Sequence, residues 1–201
     1  MNLLHRVGRT ARVLALAWPV LAGLAMSLPA AAASYPAPVD DFGHFDSFPE
    51  TIGTYHRIEV TAFAPDMADF SIGYNSRPPD LDSTVTLYFY PHHAPTEQGQ
   101  LAGEERQVLA AHPGARVLAR RRVTLTHGAS SHEATLVTFA FRMPRRGDRA
   151  MQDVASQLLL VYRDKGIFMV RSTSPEALGD TAEAAMLALA QGVDWESIPG
   201  R

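Results

Sequence analysis

The stretch QLLLVYRDKGIFMVRS, residues 157–172, decides the fold of this chain. Two apolar runs flank the segment DKG at 164–166. This arrangement predicts a β-hairpin with a three-residue loop, in which Gly166 takes a left-handed conformation and closes a bulge. Because both faces of the predicted hairpin are apolar, we expect it to lie in the middle of a sheet that is covered on both sides.

The predicted loop also fixes which side chains share a face. It pairs Tyr162 with Phe168 and Leu159 with Arg171, so Arg171 points from a face whose other members are apolar: Leu159, Val161 and Met169. A buried arginine needs a carboxylate or several carbonyl groups as partners. Two hypotheses follow: a structural ion pair with Glu59 or another acid, or an arginine that recognises an anion at the floor of a cleft.

The first 33 residues have the features of a cleavable signal peptide. A basic start is followed by an apolar run at 13–28, and Ala31, Ala32 and Ala33 supply the small residues of a cleavage site. A retained membrane anchor is the less favoured alternative, because the run is short for a bilayer span. The chain has no Cys, which excludes a lipid-modified cysteine. The prediction is a soluble periplasmic or secreted protein without stable membrane insertion after cleavage.

Charge and composition narrow the function classes. Residues 1–33 hold three of the 18 Lys and Arg residues and none of the 21 acidic ones, so the mature chain would carry a formal charge of −6. An acidic protein is not expected to bind nucleic acid or anionic lipid. Without Cys, disulfides, thiol nucleophiles and thiolate metal sites are also excluded.

The mature chain predicts an extended N-terminal tail at 34–47 and a single domain at 48–197. Alternating segments between Pro and Gly punctuation predict the strands. One helix is predicted at 96–112, and a second at 174–191 with Ser174 as N-cap and Trp195 packing on the core beyond its end. The predicted fold class is α+β: an antiparallel β-sheet of about six to seven strands covered by two helices, an α/β/α-type sandwich.

Two groups of side chains have the chemistry of metal ligands. The first is a dense run in the tail: Asp40, Asp41, His44 and Asp46. The second is His92-His93, directly after the strongest β segment. A solvated acidic tail and a surface histidine pair are the favoured interpretations. A metal-assisted hydrolase that uses these groups is therefore kept as the alternative function.

Other catalytic patterns are weak. The sequence contains no G-x-S-x-G elbow and no phosphate-binding glycine motif. Glu104 and Glu105 are expected on the solvated side of a helix. Three consecutive arginines at 120–122 should alternate across a strand, so they cannot form one patch. A loop bracketed by four further arginines could bind an anion: Arg142, Arg145, Arg146 and Arg149.

Three phrases resemble the PsbP/Mog1-like group of small α+β domains, which includes periplasmic proteins related to DcrB. They are FPETIG at 48–53, TLYFYP at 86–91 and MVRSTSP at 169–175. The similarity would cover roughly residues 48–195. The resemblance implies an α/β/α sandwich and a non-enzymatic accessory or assembly role, and it supplies no catalytic residue to transfer.

The leading functional prediction is a non-catalytic module that binds an unknown protein partner or a small ligand, without a cofactor or metal. It is based on a surplus of aromatic positions on strands and on the lack of a catalytic constellation in the sequence. The predicted ligand-binding residues are Arg171, Tyr88, Tyr90 and Tyr162. A cleft between the sheet and a helix, close to Arg171, is the expected place of binding.

Overall fold

Eight antiparallel strands form one sheet in the computed structural model, which describes residues 48–63, 69–145 and 149–195. The strands are β1 (Thr51–Ile52), β2 (Tyr55–Ala62), β3 (Phe70–Ser76), β4 (Ser83–Tyr90), β5 (Arg116–His127), β6 (Ser130–Pro144), β7 (Met151–Arg163) and β8 (Gly166–Pro175). Their spatial order is β1-β2-β3-β4-β8-β7-β6-β5. The antiparallel α+β class is confirmed. The predicted count of six to seven strands is wrong, because the two-residue β1 is too short to show a periodic pattern. The predicted signal peptide and tail lie outside the described residues.

Two helices lie on opposite faces of this sheet. The helix α1 (Glu97–Ala111) connects β4 in the middle of the sheet to β5 at its edge, and α2 (Gly179–Gly192) follows β8 after a short 3-10 turn. Val108 of α1 packs with Leu158 and its neighbours, on what we call the α1 face. Met186 of α2 packs with Leu159 and Phe168, on the α2 face. None of the helices in the described ranges is long and apolar enough to cross a bilayer.

The central hairpin forms as predicted, but its register is shifted by one residue. Arg163 pairs with Gly166 across a two-residue turn, and Arg171 pairs with Leu158 instead of Leu159. The predicted three-residue loop with a bulge is therefore wrong, and glycine at 166 meets a different requirement. A Cβ atom there would lie 2.9 Å from the carbonyl oxygen of Tyr90, so glycine is needed for close approach of β8 to the end of β4.

The shifted register moves Arg171 to the α1 face. Its neighbours on the same side of the sheet are Leu158 and Met169, and not Leu159 and Val161, which face α2. A shift of one residue exchanges the two faces of a strand, because the side-chain period is two. Of the neighbours predicted for Arg171, Met169 is confirmed, and Leu159 and Val161 are wrong.

The two helices begin in different ways. Thr96 is the N-cap of α1 and its side chain accepts a hydrogen bond from the backbone N–H of Gly99, which is typical of capping. Ser174, in contrast, remains in β8 and caps nothing; Pro175 continues the strand and a 3-10 turn at Glu176–Leu178 leads into α2. The prediction of Ser174 as an N-cap is wrong.

Aromatic side chains fill the α2 face. Trp195 is completely buried and stacks on Phe168 with ring centroids 4.9 Å apart. Its indole N–H donates to the carbonyl oxygen of Ala190 at 3.0 Å. Phe168 in turn stacks on Phe89 at 5.1 Å. The expectation that Trp195 anchors the chain beyond α2 to the core is confirmed.

Three arginines of the edge strand β5 bind both helices. Arg120 donates to Glu105 of α1 at 2.6 Å, and Arg122 pairs with Glu97 of the same helix. Arg121 points to the opposite face and pairs with Glu183 of α2. The predicted alternation is confirmed. Charged side chains of this kind also protect an edge strand from pairing with another chain.

We expect Trp195→Ala to lower the free energy of unfolding by about 3–5 kcal/mol, because it removes a large buried ring and leaves a cavity. Urea denaturation monitored by circular dichroism measures this change. The matched control is Met151→Ala, since Met151 is about half exposed and its truncation should change the stability by less than about 0.5 kcal/mol. Equal effects of the two substitutions would contradict the packing described for Trp195.

Candidate functional site

The α1 face is covered by α1 over only part of its width. In the described part of the chain, the apolar cluster beneath α1 contains side chains of β4 and β6–β8 but none of β2 or β3. Beyond it the same side of the sheet carries small and polar side chains, which we call the open face: Glu59, Ser71, Gly73, Asn75, Thr84, Thr86, Tyr88, Arg171 and Thr173. The three members on β3, Ser71, Gly73 and Asn75, are buried, and the others are half-buried or exposed. This polar surface differs from the aromatic floor that the sequence predicts.

One row of the open face crosses four neighbouring strands. The strand register places Glu59, Gly73, Thr86 and Arg171 next to one another in this order. A Cβ atom at Gly73 would lie 3.1 Å from Cγ of Glu59, so the Glu59 side chain lies over the glycine. The row therefore has a carboxylate near one end and a guanidinium at the other.

Arg171 is half-buried at the inner end of this row. The described residues give it neither a hydrogen bond nor an ion pair. Glu59, the expected structural partner, lies in the same row, but Gly73 and Thr86 separate the two residues and no ion pair forms between them. Within the described residues the guanidinium therefore has no carboxylate partner, which fits the hypothesis of an anion-recognising arginine better than that of a structural ion pair.

His112 lies close to Arg171 at the C-terminal end of α1. Its ring stacks on Phe141 with centroids 4.0 Å apart. Burial lowers the pKa of His112, and the positive charge of Arg171 lowers it further. At neutral pH the imidazole is therefore uncharged, and Arg171 is the cation of this part of the site. Sequence reasoning did not identify His112, because no local pattern relates the end of a helix to a strand 60 residues further on.

The three predicted tyrosines lie on the α1 face but do not form one surface. Tyr88 pairs with Met169 and is diagonal to Arg171, so the structure brings these two site residues together. The hydroxyl of Tyr162 donates a hydrogen bond to the carbonyl oxygen of Ala94 at 3.0 Å. Tyr90 is buried. Of the predicted aromatic residues, Tyr88 alone is placed to touch a ligand bound at Arg171.

Tyr90 belongs to a buried polar network under α1. Its hydroxyl donates to Glu104 at 2.8 Å, and Glu104 also accepts a hydrogen bond from Gln100 at 2.8 Å. Burial and the nearby carboxylate of Glu104 raise the pKa of Tyr90. The expectation that Glu104 is solvated is wrong. The sequence does contain a signal for this burial. Gln100, Glu104 and Val108 are spaced four residues apart, so they lie on one face of α1, as the residues of an apolar helix face do.

A depression of about 390 Å³ borders the open face. It is lined by Thr54, His56, Ile58, Asn75, Arg77, Pro78 and Asp80. Ile58, 52% exposed, stands at a register shift between Arg57 and Glu59 that turns it outward. Asn75 accepts a hydrogen bond from Thr84 of the open face at 2.9 Å, so the depression and the open face are continuous.

The two adjacent histidines do not converge on one point. The ring of His92 stacks on Tyr162 at 4.3 Å, and that of His93 stacks on Tyr90 at 5.4 Å. Within the described ranges there is no group of three or more His, Asp or Glu side chains that could hold one metal ion. The candidate run of Asp40, Asp41, His44 and Asp46 lies outside the described residues.

The predicted arginine loop is only partly described. Arg142 pairs with Asp153 at 3.2 Å and is therefore neutralised. Arg145 and Arg149 are exposed, and Arg146 lies outside the described residues. The loop thus offers a weaker case for anion binding than Arg171, which is half-buried and has no counterion among the described residues.

Neither a protein-family model nor a curated protein sequence matches this chain. Among solved structures, a Pseudomonas aeruginosa protein of unknown function is similar, with 14% sequence identity and a TM-score of 0.41. The similarity covers 75% of this chain and 85% of that chain. The resemblance to the PsbP/Mog1-like group stays a prediction.

The lowered pKa of His112 predicts a stability that depends on pH. The unfolded chain protonates this histidine near the ordinary value of 6.5, whereas the folded chain protonates it at a lower pH. As the pH falls below about 6.5, the unfolded state therefore binds the proton first, and the free energy of unfolding decreases until the folded pKa is passed. The substitution His112→Gln should reduce this decrease, measured by urea denaturation at pH 7.5 and pH 5.5.

A second variant separates the two causes of the lowered pKa. Arg171→Gln removes the neighbouring charge but leaves the burial, which is the larger cause. It should therefore reduce the pH dependence less than His112→Gln does. A pH dependence that is the same in the wild type and in His112→Gln would refute the role of His112.

Proposed function

We propose that this protein is an exported, non-catalytic binding module that takes up a ligand or partner through a carboxylate group at Arg171. The observation that carries the proposal is a half-buried guanidinium on an open polar sheet face, with no counterion among the described residues. The periplasmic or secreted location is part of the proposal and is supported by the signal-like sequence of residues 1–33.

The chemistry of the open face supports a carboxylate as the recognised group. The planar guanidinium presents paired N–H donors that match the two oxygens of a carboxylate. The hydroxyl groups of Thr86 and Tyr88 stand beside it and can donate further hydrogen bonds. Half-burial of Arg171 strengthens such an interaction relative to a fully solvated pair, because fewer water molecules screen it.

The surroundings of Arg171 also favour selectivity for anions. Glu59 lies three strands away, on β2, and does not pair with the guanidinium, so Arg171 presents an uncompensated positive charge to an anion that reaches it from the described part of the open face. His112 adds a second positive charge when the pH falls below its pKa. A bound carboxylate would raise that pKa, so by linkage the affinity should increase at acidic pH.

The binding test uses three small acids as probes: succinate, glutarate and citrate. Each should raise the Tm of the wild-type protein in a concentration-dependent way, since a ligand that binds only the folded state stabilises it. Arg171→Gln should weaken the affinity about 10- to 100-fold, the effect of losing a charge-assisted hydrogen bond of about 1.5–3 kcal/mol. Isothermal titration calorimetry at low ionic strength gives the dissociation constants.

Two variants serve as controls for this experiment. Arg142→Gln removes an exposed arginine that is paired with Asp153 on another part of the sheet, and it should leave the affinity unchanged. Arg171→Lys keeps the charge but loses the planar pair of donors, so its affinity should be intermediate. Binding of equal strength to the wild type and to Arg171→Gln, or no stabilisation by any of the three acids, would contradict the proposal.

The metal-assisted hydrolase remains the alternative. Its residues in the described ranges, His92 and His93, stack on different tyrosines and do not approach a common ion. The remaining candidate ligands lie outside the described residues. Metal analysis of the purified protein decides between the two functions: one bound zinc ion per chain would favour the hydrolase.

A further inference from the structure

A layer of buried polar side chains lies on the α2 face, opposite the open face. Its members are nearly or completely inaccessible to solvent, with at most 3% exposure: Tyr55, Ser76, Ser83, Gln157, Ser172 and Ser174. Ser76 pairs with Ser83, and Ser172 pairs with Gln157. We call this group the serine layer. It lies on the same side of the sheet as the aromatic core, at the opposite end of β8 from Phe168.

Part of the serine layer is satisfied by its own members. The hydroxyl of Tyr55 donates to Ser83 at 3.0 Å, and the hydroxyls of Ser83 and Ser172 are 3.4 Å apart. The amide nitrogen of Gln157 donates to the carbonyl oxygen of Gly179 at 3.4 Å. These contacts form a hydrogen-bonded chain between β2, β4 and β8.

Three other atoms of the layer have no partner among the described residues. Within residues 48–63, 69–145 and 149–195, Oγ of Ser76, Oγ of Ser174 and Oε1 of Gln157 are buried without a hydrogen bond. A buried polar atom of this kind costs about 1–3 kcal/mol when it stays unsatisfied. Three of them in one layer is a cost that natural interiors avoid, since nearly all their buried polar atoms find a partner in protein or water.

The strand register places Ser174 and Gln157 on neighbouring strands and Ser76 two strands from Ser174, all on the same side of the sheet. Thr84 pairs with Thr173, so the next position places Ser83 beside Ser174, while Ser76 flanks Ser83 on its other side. Gln157 is opposite Ser172 and hence diagonal to Ser174. The layer continues into Ala155, so its side chains are mostly small. Further along the same face, in contrast, Leu87, Val170 and Leu159 fill the corresponding positions.

We propose that the serine layer is an internal water site, in which ordered water molecules bind Ser76, Ser174 and Gln157. A water molecule both donates and accepts, so Ser174 and Gln157, on the neighbouring strands β8 and β7, can share one molecule. Ser76 lies two strands from Ser174, about 9–10 Å at the usual strand spacing, and is served by another. The near-zero exposure of all six side chains leaves no opening for a larger ligand. The site is independent of the proposed function, because it lies on the other side of the sheet from Arg171.

The sign of a stability change tests this site. If Ser174 binds a water molecule, Ser174→Ala removes a hydrogen bond and should lower the Tm by about 2–4 °C, the shift for about 1 kcal/mol in a chain of this size. If the layer is dry, the same substitution removes an unsatisfied hydroxyl and should raise the Tm. Ser156→Ala is the matched control, since Ser156 donates to the carbonyl oxygen of Ser172 at 2.8 Å and its loss should lower the Tm in either case.

A direct observation completes the test without relying on a variant. A crystal structure at about 1.5 Å resolution should show an ordered water within hydrogen-bond distance of at least two of the three atoms. Nuclear Overhauser effects between water and amide protons of Ser76 or Ser174 would report the same molecule in solution. A dry layer in the crystal structure, or an unchanged or raised Tm for Ser174→Ala, would overturn the proposal.

Discussion

The pairing of β4 with β8 is the interaction on which the rest of the structure depends. It runs without interruption from Thr84 opposite Thr173 to Tyr90 opposite Ile167 and joins segments about 80 residues apart. Without it, β1–β4 and β5–β8 would be two separate four-stranded pieces, because β4 and β8 are the point where the two chain halves meet in the sheet. The close approach of the Tyr90 carbonyl to Gly166 occurs at one end of this pairing, and the open face with Arg171 beside Thr86 occurs at the other.

The position of the open face follows from this topology. Since α1 must lead from β4 in the middle of the sheet to β5 at its edge, it passes over β8, β7 and β6 and covers them. The strands on the other side of β4 receive no helix on this face in the described part of the chain, and their side chains here are accordingly polar or small. Polar residues on an uncovered face and apolar residues beneath a helix are the arrangement expected for an antiparallel sheet.

The sequence predicts those parts of the structure that depend on local periodicity. It does not predict the environment of a residue when that environment is set by groups far away in the chain. The alternation in residues 157–172 is sufficient to predict a central hairpin, whereas the need for glycine at 166 comes from the carbonyl oxygen of Tyr90, which no pattern in the hairpin contains. In the same way Ser174 has the local features of an N-cap, but pairing continues past it with Ala155 and keeps it in β8. Glu104 has the local features of a solvated helix residue, but in the fold it is buried and accepts a hydrogen bond from the hydroxyl of Tyr90. For the candidate site, Arg171 and Tyr88 could be identified from sequence, while His112 needed the fold to bring it near Arg171.

The two faces of the sheet accommodate polar groups in opposite ways: neutral groups are buried on the α2 face, and a charged group, Arg171, is half-buried on the open face. In the serine layer the polar groups are neutral and fully buried. Their hydroxyl and amide oxygens that lack a partner among the described residues can form hydrogen bonds with buried water molecules. An unpaired guanidinium could not exist at that depth, because its desolvation would cost far more than a hydroxyl's. Half-burial on the open face leaves the Arg171 guanidinium partly hydrated, although the described residues give it no counterion. A carboxylate that displaces this water would then gain two strong hydrogen bonds without first breaking an existing ion pair, which a paired arginine such as Arg120 or Arg142 would require.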